Sequence, residues 1–184
     1  MEFNSFGKIA RLSRDVIVTE KIDGTNGIIA IGENGEFQVG SRNKWLTDEL
    51  GNIESDNAGF ARWAVENRDS LMSLGVGYHY GEWWGSGIQR GYDLPKGEKR
   101  FSLFNVSRWS DDSVRPSCCL VVPVLYVGLF STSKIDEVLA DLALSGSVVS
   151  PGFMRPEGVV VFHTAARCLF KKTIEKDEYH KGDG

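Results

Sequence analysis

The chain has few cysteines and histidines, and their placement excludes several classes of protein. The three cysteines, Cys118, Cys119 and Cys168, include no Cys-x-x-Cys pair, and adjacent cysteines do not bridge each other comfortably. The three histidines are scattered along the sequence, so a structural zinc site is not expected. An odd number of thiols without a disulfide framework favours a reducing, intracellular and therefore cytoplasmic setting.

Long apolar runs and an excess of positive charge are also missing. No run is long enough to span a bilayer, and residues 1–5 do not resemble a signal peptide, so we expect no membrane contact. The net charge of −4 does not by itself indicate a nucleic-acid binder, although a basic groove can exist within an acidic protein. The length of 184 residues and the hydrophobic content of 41% fit one globular domain.

The chain does contain a series of short β-branched segments with few helices between them. Strands are predicted at residues 16–19, 28–31, 37–42, 76–85, 101–106, 120–128, 158–163 and 166–174, with a break at Pro123. Helices are predicted over 57–74 and 133–145, the second capped by Ser133. This order predicts an α+β domain rich in antiparallel sheet rather than alternating βαβ units.

The most informative segment is residues 20–27, Glu-Lys-Ile-Asp-Gly-Thr-Asn-Gly. It lies between two β-branched strands, and its Gly-Thr-Asn-Gly portion is typical of a hairpin turn. Lys21 and Asp23 lie two residues apart at the mouth of that turn. A lysine on rigid backbone beside a carboxylate is suited to act as a nucleophile. The same segment is equally compatible with a plain hairpin that carries a solvated lysine.

Five later segments carry charged or aromatic groups beside predicted strands. They are Ser41-Arg42, Gly81-Glu82, the aromatic strand ending in Phe104-Asn105, Glu157-Gly158-Val159-Val160, and Lys171-Lys172. Each has a plainer explanation, as a solvated charge or, for Phe104, as a core aromatic. Together with residues 21–26, and in this order, they resemble the motifs of the covalent nucleotidyltransferases, which include ATP-dependent RNA and DNA ligases and mRNA capping enzymes. The resemblance spans residues 16–174 and is strongest to phage-type RNA ligases that seal nicks.

The resemblance implies that Lys21 attacks the α-phosphorus of ATP, releases pyrophosphate and carries AMP. Glu157 would help to bind a catalytic Mg²⁺ or Mn²⁺, and Asp23, a catalytic residue at the same metal, would orient groups around it. Lys171 would neutralise the phosphates together with Lys172, and both Glu157 and Lys171 would contact the nucleotide. Relatives separate the two lysines by one residue. Because adjacent side chains on a strand face opposite ways, only one lysine here can face the nucleotide, and Lys171 is favoured.

The remaining matched residues would form the nucleotide pocket. Phe104 would stack on adenine, and Glu20 would accept a hydrogen bond from the adenine amino group. Arg42 would contact the ribose or a phosphate, Glu82 would contact the ribose hydroxyls, and Asn26 belongs to the same set. Stacking tolerates any base, so the choice of ATP would depend on contacts to the base edge. The implied fold is an ATP-grasp-like ligase domain that binds the nucleotide between sheets.

The implied function is an ATP-dependent ligase that transfers AMP to a 5′-phosphate and seals it to a 3′-hydroxyl, on RNA rather than DNA. Three alternatives stay open at this point: a DNA ligase, a capping-type or other nucleotidyltransferase, and a non-catalytic domain that binds nucleotides or nucleic-acid ends. We expect one domain over residues 1–184, without the OB-fold or helical domain that relatives carry after the fifth motif. Such a chain would be either a stand-alone catalytic domain or a minimal ligase, and whether a partner protein supplies the further domain stays open.

Overall fold

The computed structural model describes residues 2–175 and residue 177. The strands of this part are Asp15–Lys21 (β1), Thr25–Ile31 (β2), Phe37–Ser41 (β3), Gly77–Gly85 (β4), Lys99–Leu103 (β5), Cys119–Val121 (β6), Val124–Leu129 (β7), Gly158–His163 (β8) and Cys168–Thr173 (β9). The helices are Phe60–Glu66 (α1), Arg68–Leu71 (α2), Val106–Trp109 (α3) and Thr132–Ser145 (α4), with 3₁₀ turns at Met72–Leu74 and Gly91–Asp93.

The strands form two sheets. Sheet A has the order β7-β1-β8-β9, and sheet B has the order β3-β2-β4-β5-β6. The pairings are antiparallel apart from the parallel pair β5–β6. The predicted α+β class with mainly antiparallel sheet is therefore confirmed.

The chain crosses between the sheets at two points, and the first crossing corrects the hairpin predicted at residues 20–27. β1 pairs with β7 and β8, whereas β2 pairs with β3 and β4, so the two strands belong to different sheets. Residues 22–24 carry the chain across, and Gly24 is needed there because a Cβ would lie 2.4 Å from the Trp83 carbonyl oxygen. The predicted break at Pro123 is confirmed, and it separates β6 in sheet B from β7 in sheet A.

Both predicted helices are present with changed boundaries. The helix predicted over 57–74 is divided at Asn67 into α1, α2 and a 3₁₀ turn. α4 begins one residue earlier than predicted, and its cap is Ser131 rather than Ser133, because the Ser131 hydroxyl accepts a hydrogen bond from the Lys134 backbone N–H at 3.3 Å. Within residues 2–175, no helix combines the length and the apolar character needed to cross a bilayer.

Three groups of buried apolar side chains hold these layers together. The first joins α4 to one face of sheet A through Val16, Val18, Ile135, Val138, Leu142, Val159 and Val161. The second packs α1 and α2 against sheet B, with Ile29, Phe60 and Phe101 among its members. The third lies where the sheets meet and consists of Ile22, Trp84, Tyr92, Val106, Val122 and Phe153. The third group fixes the crossing that carries Asp23 and Gly24.

Candidate functional site

Lys21 is the last residue of β1, at the point where the chain leaves sheet A. It lies opposite Gly158 in the register of β1 with β8, which brings Glu157 beside it. Lys21 Nζ lies 2.5 Å from Glu157 Oε2, and the two side chains are 24% and 14% exposed. Gly158 is needed where β8 pairs with β9, because a Cβ there would lie 2.2 Å from the Lys172 carbonyl oxygen. Two residues predicted for the site thus form a partly buried ion pair that still reaches solvent.

Glu82 joins the crossing segment to sheet B. It lies opposite Asn26 in the register of β4 with β2. Its carboxylate accepts hydrogen bonds from the Gly24 backbone N–H at 3.1 Å and from Asn26 Nδ2 at 3.0 Å. Burial raises the pKa of Glu82 to about 7, and the neighbouring Lys21 charge partly offsets that rise.

The raised pKa of Glu82 predicts that stability depends on pH in a specific way. Its folded-state pKa of about 7 exceeds the ordinary value of 4.5, so between them the folded state binds more protons than the unfolded state. Stability must then fall as pH rises through this window. From about pH 5 to pH 8, we expect the wild type to lose on the order of 2 kcal/mol of unfolding free energy relative to Glu82→Gln. Urea unfolding measures this difference, and two curves that stay parallel would contradict it.

Asp23 lies in the crossing segment and is held by residues that sequence reasoning missed. Arg90 Nε lies 2.9 Å from Asp23 Oδ2, and the Asp23 backbone N–H donates to Tyr92 Oη at 2.7 Å. Tyr92 is fully buried in a left-handed backbone conformation with φ of 55°, and burial raises the pKa of its hydroxyl. These partners lie 67 and 69 positions from Asp23, and no local pattern indicates either contact.

The carboxylate of Glu20 is turned away from the face on which Lys21 lies. Glu20 is opposite Val159, on the side of sheet A covered by α4, and is 1% exposed. It accepts hydrogen bonds from the Ser147 hydroxyl at 2.6 Å and from the backbone N–H groups of Val148 and Val149 at 2.9 and 3.0 Å. This placement argues against the predicted contact between the carboxylate and an adenine amino group. The carboxylate instead ties the segment after α4 to the strand that carries Lys21.

Lys171 and Lys172 lie on opposite faces of β9. Lys171 is opposite Val160, and the register of the three strands places it on the same face of sheet A as Lys21. Lys172 lies on the face covered by α4, where its ammonium pairs with Asp136. The structure therefore places Lys171 on the face of sheet A that carries Lys21, and Lys172 on the face that α4 covers.

Arg42 and Phe104 directly follow strands of sheet B, and both are exposed. Arg42 comes after β3. Phe104 comes after β5, and its backbone N–H donates to the Tyr80 carbonyl at 3.0 Å. The register of β4 with β5 places Phe104 on the face that carries Glu82. Its ring is 40% exposed, which rules out the alternative of a core aromatic and leaves the ring accessible to a ligand.

The carboxylates of the site suit a divalent cation that needs only one or two ligands from the protein. In the described part of the chain, no three His, Cys, Asp or Glu side chains converge into a metal site. Mg²⁺ does not require such a cluster, because it keeps several waters and binds one or two carboxylates together with substrate phosphates. Glu157 fits this role, since it lies beside Lys21 and reaches solvent. The Asp23 carboxylate is engaged by Arg90.

Comparison with known proteins identifies a matching family. A family model described as RNA ligase matches residues 14–175 of the chain. A comparison with curated proteins gives no significant match.

Solved structures of mutants of Naegleria gruberi RNA ligase share the fold. An apo mutant has a TM-score of 0.62 and 22% identity, over 88% of this chain and 50% of that one. A mutant with ATP and Mn has a TM-score of 0.63 and 19% identity, over 86% and 48% of the two chains. A mutant with AMP and Mn has a TM-score of 0.62 and 20% identity, over 87% and 49%. The present chain therefore spans about half the length of these structures.

Proposed function

Because the chain belongs to the RNA ligase family, whose model covers residues 14–175, we propose that it is an ATP-dependent RNA ligase that works through a lysyl-AMP intermediate. The observation that carries this proposal is the ion pair of Lys21 with Glu157, formed where the chain crosses between the sheets. Glu82 lies at the same crossing. It is close enough to Lys21 for the lysine charge to offset part of the rise in the Glu82 pKa that burial causes. The nucleophile Lys21 and the carboxylate of Glu82 are thus held on strands, and the orienting carboxylate of Glu157 lies directly before one.

The first step forms a bond from Lys21 Nζ to the α-phosphorus of ATP. The bond from that phosphorus to the bridging oxygen breaks, and pyrophosphate leaves with the electron pair. A lysine ammonium must release one proton before it attacks and a second as the phosphoramidate forms. Glu157, 2.5 Å from Nζ, aims the nitrogen and lies in reach of its protons. Glu157 is the residue that would hold a Mg²⁺ or Mn²⁺, which would supply neutralisation of the phosphate charge.

The residues of sheet B are proposed to bind the nucleoside. The exposed ring of Phe104 stacks on adenine, which supplies about 1–3 kcal/mol by comparison with other base–aromatic stacks. Glu82 accepts hydrogen bonds from the ribose hydroxyls, and Asn26 keeps its carboxylate in place at 3.0 Å. Arg42 contacts the ribose or a phosphate through its guanidinium. The similar structures that contain ATP or AMP together with Mn support ATP as the nucleotide that these residues would bind.

The acceptor is proposed to be an RNA end that carries a 5′-phosphate. An oxygen of that phosphate attacks the AMP phosphorus, and the bond to Lys21 Nζ breaks. A 3′-hydroxyl then attacks the 5′-phosphorus, forms the phosphodiester and expels AMP. The description of the matching family as RNA ligase supports RNA over DNA.

Joining assays with a panel of ends test this function. The panel contains nicked RNA, nicked DNA and single strands, each with a 5′-phosphate and a 3′-hydroxyl, with ATP and Mg²⁺ or Mn²⁺. We expect RNA ends to be joined and Lys21→Ala to join none of them. Joining of DNA alone would indicate a DNA ligase, and labelling by GTP in preference to ATP a capping-type enzyme. A protein that binds ends but takes no label would be a non-catalytic domain.

The placement of the two lysines on β9 predicts unequal effects of their substitution. We expect Lys171→Ala to slow formation of the protein–AMP adduct at least about tenfold. The substitution removes a cation from the face of sheet A that carries Lys21, where the phosphates of ATP would bind. The matched control is Lys172→Ala, which removes only the contact with Asp136 and should react at close to the wild-type rate. Gel quantification of the adduct over time measures both rates. A larger loss in Lys172→Ala than in Lys171→Ala would overturn the assignment.

A further inference from the structure

Exposed aromatic side chains extend the candidate site along β4. Tyr78, Tyr80, Glu82 and Trp84 occupy alternate positions of this strand and therefore share one face of sheet B. Their exposure rises along the strand from 0% for Trp84 and 8% for Glu82 to 52% for Tyr80 and 63% for Tyr78. Glu82, at the buried end of this face of β4, belongs to the candidate site. Tyr80 and Tyr78 continue the same face and are exposed to solvent.

Neighbouring segments lengthen this set of aromatic side chains on both sides. Phe104 lies next to Tyr80, to whose carbonyl its backbone N–H donates at 3.0 Å. The Trp45 ring covers Gly40, and its centroid lies 6.4 Å from that of Tyr78. The rings of Tyr78 and Tyr80 are also 6.4 Å apart, with their planes 17° from parallel. We call Trp45, Tyr78, Tyr80 and Phe104 the aromatic row.

Positive charge borders the aromatic row. Arg42 and Lys44 are exposed between β3 and Trp45, and neither forms an ion pair within residues 2–175. Rings that stack on bases, combined with cations that contact phosphates, characterise surfaces that bind single-stranded nucleic acid. Aromatic residues and arginine are also common in protein–protein interfaces, but lysine is depleted there, so the exposed Lys44 beside the row favours nucleic acid.

We propose that Trp45, Tyr78 and Tyr80 of the aromatic row bind unpaired bases of the RNA substrate by stacking, while Lys44 contacts a phosphate of the same strand. This inference rests on the proposed function, which places adenine on Phe104 at the inner end of the row. The row would then receive nucleotides that adjoin the reacting end. Stacking accepts every base, so binding should show little sequence preference and should favour unpaired over fully paired ends.

Binding of a fluorescent, 5′-phosphorylated oligouridylate, followed by anisotropy without ATP, tests the inference. The double variant Tyr78→Ala/Tyr80→Ala should bind about 10- to 100-fold more weakly, because it loses two stacking surfaces. Tyr78→Phe/Tyr80→Phe keeps both rings and should bind within about twofold of the wild type. Lys44→Ala should reduce the salt dependence of binding by about one phosphate contact.

Adduct formation with labelled ATP, measured on the same preparations, separates this inference from the proposed function. Tyr78 and Tyr80 lie outside the residues assigned to that step, so the alanine variant should form the adduct normally. If it does and still binds RNA as tightly as the wild type, the inference is wrong and the ligase proposal stands. An altered oligomeric state with unchanged RNA affinity would identify the row as a protein contact. If no protein forms the adduct but the alanine variant loses RNA binding, the ligase proposal fails instead.

Discussion

Lys21→Ala is expected to lower the rate of protein–AMP formation by at least about 10⁴-fold, because removal of a covalent nucleophile abolishes the step rather than weakening it. Lys21 is the amine that the register of β1 with β8 places against Glu157, with Nζ at 2.5 Å. Its side chain is 24% exposed, so truncation leaves no large cavity. Incubation with α-labelled ATP and Mg²⁺, followed by a denaturing gel, measures the adduct.

Two controls separate loss of the nucleophile from loss of the fold. Lys21→Arg keeps a positive charge beside Glu157 but offers a guanidinium that does not deprotonate near neutral pH, so it should also form no adduct. RNA that already carries AMP on its 5′-phosphate bypasses both adduct formation and AMP transfer, so Lys21→Ala should still seal it. Adduct formation by Lys21→Ala or Lys21→Arg would contradict the assignment.

Glu157→Gln is expected to slow adduct formation by on the order of 10²-fold, the second-largest effect. The amide keeps the size of the side chain but removes the charge that aligns Lys21 Nζ and that would hold the divalent cation. Because the pair is partly exposed, the expected loss of folding stability is small, about 1 kcal/mol. Single-turnover labelling at saturating ATP measures the rate, and thermal unfolding measures the stability.

A matched control for Glu157→Gln is Glu49→Gln. Glu49 is exposed and forms no ion pair within the described residues, so its neutralisation changes net charge without touching the site. We expect this variant to react at the wild-type rate. Equal rates for both variants would mean that Glu157 only packs beside Lys21 and takes no part in the reaction.

The family and the order of its motifs could be predicted from the sequence, and family membership is confirmed by the match over residues 14–175. Most strands could also be predicted, because β-branched runs carry a local signal. The hairpin predicted at residues 20–27 is wrong, because β1 and β2 belong to different sheets. Its turn residues favour local pairing, but β1 and β2 each find two partners elsewhere, and that pairing overrides the turn preference.

The surroundings of the nucleophile could be predicted only in part. Glu157 could be linked to Lys21 through motif order, but its ion pair with Lys21 depends on the register of strands far apart in sequence. Arg90 and Tyr92 hold Asp23 from a loop without any motif. Such contacts follow from tertiary packing alone. The direction of the Glu20 carboxylate, by contrast, follows from strand alternation once the face of Lys21 is known.

The most direct test of the account is to map the modified residue on the wild-type protein. The full chain is incubated with ATP and Mg²⁺ or Mn²⁺ without RNA, digested, and analysed by tandem mass spectrometry. The lysyl-AMP mechanism predicts one AMP per chain, attached to Lys21. Attachment to another lysine, such as Lys171, or the absence of any adduct under conditions in which the protein joins RNA, would contradict it.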